Sequence, residues 1–220
     1  MKIIIAGGDK SGQNLMKFFQ DNRDYSVTVI ESDAKTCEWI SEAFPEVEIV
    51  WGNANYPSIL KEAKAEEADV FIAVIGDDQS NILAAKAAKK LGIPKVVARV
   101  TDPAYRELAE LMDFDDILDP AEAVAAEIVT RLQGVDFVRL MQDINLDVEF
   151  GILKVAEKKE ISGKNPCDIN GFFDDVIQPM FVIRDGDYQL PSEIESLEEE
   201  DEIIYLFRRK RKKKRSILGL

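Results

Sequence analysis

The 220-residue chain contains no histidine. That one absence excludes Ser-His and Cys-His catalysis and every His-ligated metal. Cysteine is nearly as scarce: Cys37 and Cys167 lie far apart with no CxxC spacing, a usage that fits a reducing cytosol and argues against a zinc site. No apolar run reaches the roughly 18 residues that argue for a membrane span, and the first residues do not resemble a signal peptide, so a soluble chain is expected. Positive charge is sparse except in one place. Eight of the 28 basic residues are consecutive, Arg208 to Arg215, which leaves 20 against 42 acidic residues, or −22, for residues 1 to 207. Such a body repels nucleic acid over most of its surface. There is no helix-turn-helix signature, and no aromatic residue interleaves the basic run, so no nucleic-acid partner is expected.

What the chain does have begins with its first 33 residues. Lys2 to Ala6 is a short, β-branched apolar run without polar alternation, the pattern of a strand buried on both faces. It leads into Gly7-Gly8-Asp9-Lys10-Ser11-Gly12, after which Asn14, Leu15, Phe18 and Phe19 begin a helical pattern. A second buried strand, Ser26 to Ile30, ends on Glu31, close to the spacing expected of a ribose-binding acid. Strand, glycine-rich turn, helix, strand and terminal acid make the layout of a dinucleotide-binding βαβ unit. Gly7 permits the sharp bend, Gly12 permits close packing of the helix, and the helix N-terminus offers free N–H groups to an anion. In the G-x-G-x-x-G fingerprint the second glycine falls at position 9, where a carboxylate both crowds and repels a phosphate unless Lys10 or a cation offsets it. The bland alternative is a tight turn without a ligand. Glu31 accepts from both ribose hydroxyls but repels a 2′-phosphate, favouring NAD or a simple adenine nucleotide over NADP; Asp33 is a second candidate for that role.

Alternation continues along the chain. A helix is expected over Ala34 to Phe44, a strand over Glu48 to Trp51 running into Gly52-Asn53-Ala54, and a helix accepting Pro57 in its first turn. A fourth strand spans Asp69 to Ile75 and is followed by Gly76 to Asn81, with Ser80 placed to cap a long helix ending before Gly92. A fifth strand, Lys95 to Val100, carries Arg99 near its end. This order implies an α/β, Rossmann-like, doubly wound parallel sheet with right-handed crossovers, whose ligands sit beyond the carboxyl ends of the strands. Gly7, Glu31, Asn53, Gly76 and Arg99 are therefore expected to face one crevice. From Pro103 helices over Ala104 to Met112 and Ala121 to Leu132 bracket a short strand, Asp116 to Leu118, and Phe137 to Met141 continues as an amphipathic segment. The last third reads as a small α+β module. It includes a hairpin centred on Asp185-Gly186 and a final strand over Ile203 to Phe207.

Together these stretches resemble the regulator-of-potassium-conductance family, in particular its single-copy TrkA/KtrA-type subunits. The N-terminal likeness rests on Gly7 to Gly12, the strand ending Glu31-Ser32-Asp33, Gly52-Asn53-Ala54, Asp77 to Asn81, and Val97 to Val100. The C-terminal likeness rests on Ile161 to Lys164, Ile183 to Gly186, and Pro191 to Asp201. No single motif is specific; their order and spacing are. The resemblance implies a Rossmann nucleotide-binding domain over residues 1–134, a helical crossover over 135–147, a C-terminal domain over 148–207 and a basic tail over 208–220. It implies NAD(H) or ATP/ADP as ligand, dimers assembling into a ring, and a membrane potassium-translocating pore subunit as partner, with no catalysis. By position, Gly7, Gly8, Asp9, Lys10, Ser11 and Gly12 would surround the phosphates and Glu31 with Ser32 the ribose. Asn53, Ala54, Ile75, Gly76, Asp77 and Asn81 would line the crevice, and Arg99 would offer a charge to a phosphate. The chain departs from the family at Asp9, at Asn53 where Asp is common, and in its terminal basic run. That run is either a solvated tail or a contact for anionic membrane.

An NAD-dependent oxidoreductase or epimerase would use the same βαβ unit. It would also need a substrate domain and an acid/base, yet no tyrosine here is followed four positions later by lysine.

Overall fold

The computed structural model describes residues 1–20, 24–112, 116–134, 136, 148–173 and 177–208. The chain forms two compact units, Met1–Val135 and Asp136–Leu220.

The first unit alternates strand and helix: β1 (Lys2–Ala6), α1 (Lys10–Gln20), β2 (Ser26–Glu31), α2 (Ala34–Ala43), β3 (Glu48–Trp51), α3 (Pro57–Glu62), β4 (Val70–Ala73), α4 (Asp78–Lys90), β5 (Lys95–Arg99), α5 (Pro103–Leu111), β6 (Asp116–Leu118) and α6 (Pro120–Leu132). The sheet runs β3-β2-β1-β4-β5-β6 with parallel pairing throughout. The parallel, doubly wound sheet is as expected, and its order is that of dinucleotide-binding folds, with the topological switch between β1 and β4. The β-branched runs explain it. Ile3, Ile5, Val27 and Val29 pack with Met16 and Ile40 on one face, and Ile4, Ala6, Ile30, Phe71 and Val96 pack with Leu60 and Ile82 on the other. Burying such side chains is worth roughly 1.5–3 kcal/mol each, so a sheet covered on both faces is the favoured arrangement.

Two local expectations are corrected. β4 stops at Ala73 rather than Ile75, because the Ile75 peptide bonds to the Asn81 side chain instead of a neighbouring strand. The cap of α4 is Asp77, which accepts from the Ser80 amide at 2.8 Å; Ser80 is already inside the helix. Aspartate outcompetes serine there because its carboxylate also interacts favourably with the positive end of the helix dipole.

The second unit holds an antiparallel sheet of β7 (Val148–Lys154), β8 (Ile177–Arg184), β9 (Asp187–Gln189) and β10 (Glu202–Arg208), in the order β7-β10-β8-β9. Its described residues add short 3-10 segments, among them Pro166–Phe172 and Pro191–Glu193. The expected hairpin is present. Asp185 and Gly186 both take positive φ, 53° and 86°, as a two-residue primed turn demands. Val155, Ile161, Ile169, Val182 and Ile203 form the core of this unit. The amphipathic segment expected over Phe137 to Met141 lies outside the described residues, as does the basic tail after Arg208.

Candidate functional site

The loop between β1 and α1 is shaped by backbone sterics. Gly7 has φ +109°, and a Cβ there would stand 2.8 Å from the Val74 carbonyl oxygen, so the turn accepts no side chain. A Cβ on Gly12 would overlap the Gly7 carbonyl oxygen, and one on Gly8 would reach 2.6 Å from Ile40 Cδ1. The three glycines thus bring strand, turn and helix into near contact. Gly76 has no such requirement: nothing lies within 4 Å of its Cβ position.

Glu31, at the end of β2, reaches back across this loop. Its Oε2 accepts from the Gly8 amide at 2.6 Å, and its Oε1 accepts from the amides of Ser32 and Asp33, each at 2.7 Å. Asp33 points elsewhere. It caps α2, accepting from the Thr36 amide and hydroxyl at 2.8 Å each, and these bonds hold its carboxyl below the usual aspartate range. The structure therefore ranks the two acids: Glu31 borders the glycine loop and Asp33 is a helix cap. Behind them, burial raises the Cys37 thiol pKa, helped by the nearby Glu31 charge.

Position 9 is the unusual feature. Asp9 Oδ1 accepts from the amides of Ser11 (2.9 Å) and Gly12 (3.3 Å), in the manner of an N-cap, and its Oδ2 lies 3.9 Å from Arg99 Nη1. The carboxylate occupies the helix N-terminus rather than pointing away from it. Arg99, at the end of β5, also donates to Ser11 Oγ at 3.3 Å and to the Ile75 carbonyl at 2.5 Å, while its Nε is buried without a partner. Lys10 is exposed on the first turn of α1.

The far wall is built by Asn81, which is fully buried. Its Oδ1 accepts from the Ile75 amide at 2.6 Å, and its Nδ2 donates to the carbonyls of Ile75 (2.9 Å) and Arg99 (3.0 Å). With its amide engaged by backbone, Asn81 positions Ile75 and Arg99 instead of presenting a group to a ligand. Ala54 is likewise buried in the core, so its side chain presents nothing to a ligand. Asn53 is exposed and accepts from the Asn55 amide at 2.9 Å. Ser32 is exposed, with its carbonyl accepting from the Trp51 indole at 3.0 Å.

Sequence reasoning missed Asp78 and Asn55. Asp78 Oδ2 accepts from the amides of Thr101 (3.0 Å) and Asp102 (2.7 Å), tying the chain beyond β5 to the start of α4. Asn55 donates to Ser80 Oγ at 3.2 Å. The available signal was an acid at the first turn of a helix, which reads as a dipole partner before it reads as a clasp. Among the described residues no group of three or more Cys, Asp or Glu is placed to hold a metal, and no helix is long and apolar enough to cross a membrane.

This arrangement, a glycine cradle at the switch point of a parallel sheet with an acid at the next strand end, coincides with a family match: the TrkA-N domain, over residues 3–120. The chain belongs to the TrkA-N family. A Trk system potassium uptake protein TrkA homolog from Methanothermobacter thermautotrophicus is 30% identical over 176 residues, covering 76% of this chain and 79% of that one. A homolog of the same name from Archaeoglobus fulgidus is 31% identical over 196 residues, covering 87% of this chain and 43% of that one. The chain thus spans less than half the length of some curated TrkA relatives. Among solved structures, the Kef CTD of Shewanella denitrificans in AMP-bound form shares the fold, with a TM-score of 0.50 at 18% identity, covering 65% of this chain and 88% of that one.

Proposed function

We propose that this chain is a nucleotide-sensing regulatory subunit of a potassium uptake system, without catalytic activity of its own. The observation that carries the reading is the coincidence of the TrkA-N match with the cradle of Gly7, Gly8 and Gly12 beside Glu31. The relatives bear the name of Trk potassium uptake proteins, and the Kef domain of the same fold was solved with AMP. An adenine nucleotide, NAD(H) or ATP/ADP, would lie with its ribose toward Glu31 and a phosphate between the α1 N-terminus and Arg99. The oxidoreductase or epimerase reading has no comparable support. Regulation would proceed by population shift, the nucleotide moving a conformational equilibrium by its difference in affinity for the two states. The direct test is thermal unfolding with AMP, ADP, ATP, NAD and NADH. A ligand at 100 times its dissociation constant adds roughly 2.7 kcal/mol, so at least one should raise Tm by several degrees. Flat melting curves with all five at millimolar concentration defeat the nucleotide reading. Co-purification with a membrane potassium pore subunit is expected in addition, and its absence from detergent extracts would defeat the transport assignment.

Assembly is part of the same proposal. None of the residues of α6 is buried. Val124, Ile128 and Leu132, spaced by four along one side, are 58%, 53% and 84% exposed. An apolar stripe of this kind is the usual mark of a protein–protein contact, here a second copy of the chain in a dimer or ring that acts on the pore subunit. Light scattering should report at least a dimer at micromolar concentration, and Ile128→Glu should raise its dissociation constant tenfold or more. A monomer at all concentrations, or a dimer indifferent to Ile128→Glu, removes α6 from the interface.

A further inference from the structure

We propose that Asp9 is a built-in competitor for the phosphate position, and that a nucleotide enters the crevice only by displacing its carboxylate. The inference rests on the nucleotide reading above and adds to it the residue that sets affinity. An incoming phosphate needs the free amides at the start of α1 and a cation to balance its charge. In this protein the amides of Ser11 and Gly12 already bond to Asp9 Oδ1, and Asp9 Oδ2 faces Arg99 Nη1 at 3.9 Å. The carboxylate is an anion with oxygen acceptors at the same donors, so it stands in for the ligand's phosphate. Arg99 is anchored independently by the Ile75 carbonyl and Ser11 Oγ, and so remains in position when Asp9 leaves. The Asp9 side chain is half-exposed in the Arg99 pair, which leaves it room to swing outward.

Two roles for Asp9 make opposite demands. As a helix cap it stabilises the unliganded loop, and its removal can only weaken the fold. As a competitor it opposes the nucleotide, and its removal must tighten binding. Repulsion alone, with the carboxylate directed into solvent, would predict tighter binding of a variant with no loss of stability in the unliganded protein. Displacement predicts both changes together. It also separates charge from capping: asparagine keeps the acceptor oxygen at the helix end while removing the charge.

The experiment measures dissociation constants for AMP, ADP and NAD by calorimetry on the full chain, with Tm of the unliganded protein, for the native sequence, Asp9→Ala and Asp9→Asn. Asp9→Ala should bind at least one of the three tenfold or more tighter and melt about 2–4 °C lower without ligand, as loss of a cap in a chain of this size predicts. Asp9→Asn should melt within about 1 °C of the native protein by the same rule and tighten binding several-fold, less than alanine does. Unchanged or weaker binding by both variants, with the native protein binding normally, overturns the competitor role while leaving the nucleotide reading intact. Tighter binding by Asp9→Ala with no fall in Tm overturns displacement in favour of plain repulsion. Failure of all three proteins to bind overturns the inference and the nucleotide reading together. If Asp9→Ala does not fold, the Asp9→Asn comparison decides: equal affinity rejects the proposal.

Discussion

Gly12→Ala should unfold the first unit about 10 °C below the native protein, which corresponds to a loss of roughly 3 kcal/mol or more. Alanine is normally favoured over glycine inside a helix by roughly 0.5–1 kcal/mol, and Gly12 lies within α1. Here the sign reverses. The added methyl would overlap the Gly7 carbonyl oxygen, a backbone atom that cannot turn aside, and Gly7 is itself fixed by the bond from its amide to the Ile30 carbonyl at 3.0 Å. The strain has to move either β1 or α1. Both tryptophans, Trp39 and Trp51, lie in the first unit, so tryptophan fluorescence, excited selectively over tyrosine during urea titration, reports on that unit. Gly76→Ala is the control, because its Cβ would meet nothing within 4 Å and should shift stability by no more than about 0.5 kcal/mol. Equal behaviour of the two variants would show that the turn tolerates a side chain, and the cradle would lose its steric basis.

Arg184→Ala should destabilise the second unit by about 3–5 kcal/mol, the usual consequence of stranding a buried charge. The Asp201 side chain is 1% exposed. It accepts two bonds from Arg184, Nε at 2.8 Å and Nη2 at 2.7 Å, and one from the Glu198 amide at 2.8 Å. Burial pushes the Asp201 carboxyl up, but the Arg184 and Glu198 bonds outweigh it, and the group titrates below its ordinary value of 3.8. A carboxyl lowered in the folded state contributes stability that is present above the unfolded value and is lost as pH falls through the folded one. The second unit should therefore weaken in acid below about 3.8, and Arg184→Ala should remove the share of that dependence that Asp201 contributes. Hydrogen exchange along β8 and β10 measures it. Native-like protection in Arg184→Ala, or recovery of none of the loss in Arg184→Ala/Asp201→Ala, would mean the pair is not what holds this sheet to its loop.

These two sites mark how far the sequence could be read. The strand Lys2–Ala6 was legible because its core, Ile3-Ile4-Ile5, is an uninterrupted β-branched run with few other folded uses, and the parallel sheet followed from the alternation of strands with helices. The Asp185-Gly186 turn was legible from its dipeptide. Glu31 was legible through spacing, although Asp33 competed with it until the Thr36 cap was seen. The Arg184–Asp201 pair was not legible, since 17 residues and a loop separate partners that only the closed sheet brings together. At Asp9 the glycine fingerprint marks an obstacle to a phosphate. An aspartate immediately before a helix also carries the signature of a cap, and the position answers to both descriptions. The sequence places Asn81 among crevice residues by its neighbours, whereas its burial depends on α4 lying flat on the sheet, which no local pattern records.

Asn81 has a consequence for how a signal could leave this crevice. One buried amide fastens the peptide after β4 to the last residue of β5, which gives the back wall a fixed datum. On the nucleotide reading proposed above, a bound molecule would act through the opposite lip, where Asp9 would give way to a phosphate. The crevice would then have a reference side and a reporting side, and natural variation that retunes the response without harming the fold would have its room on the second.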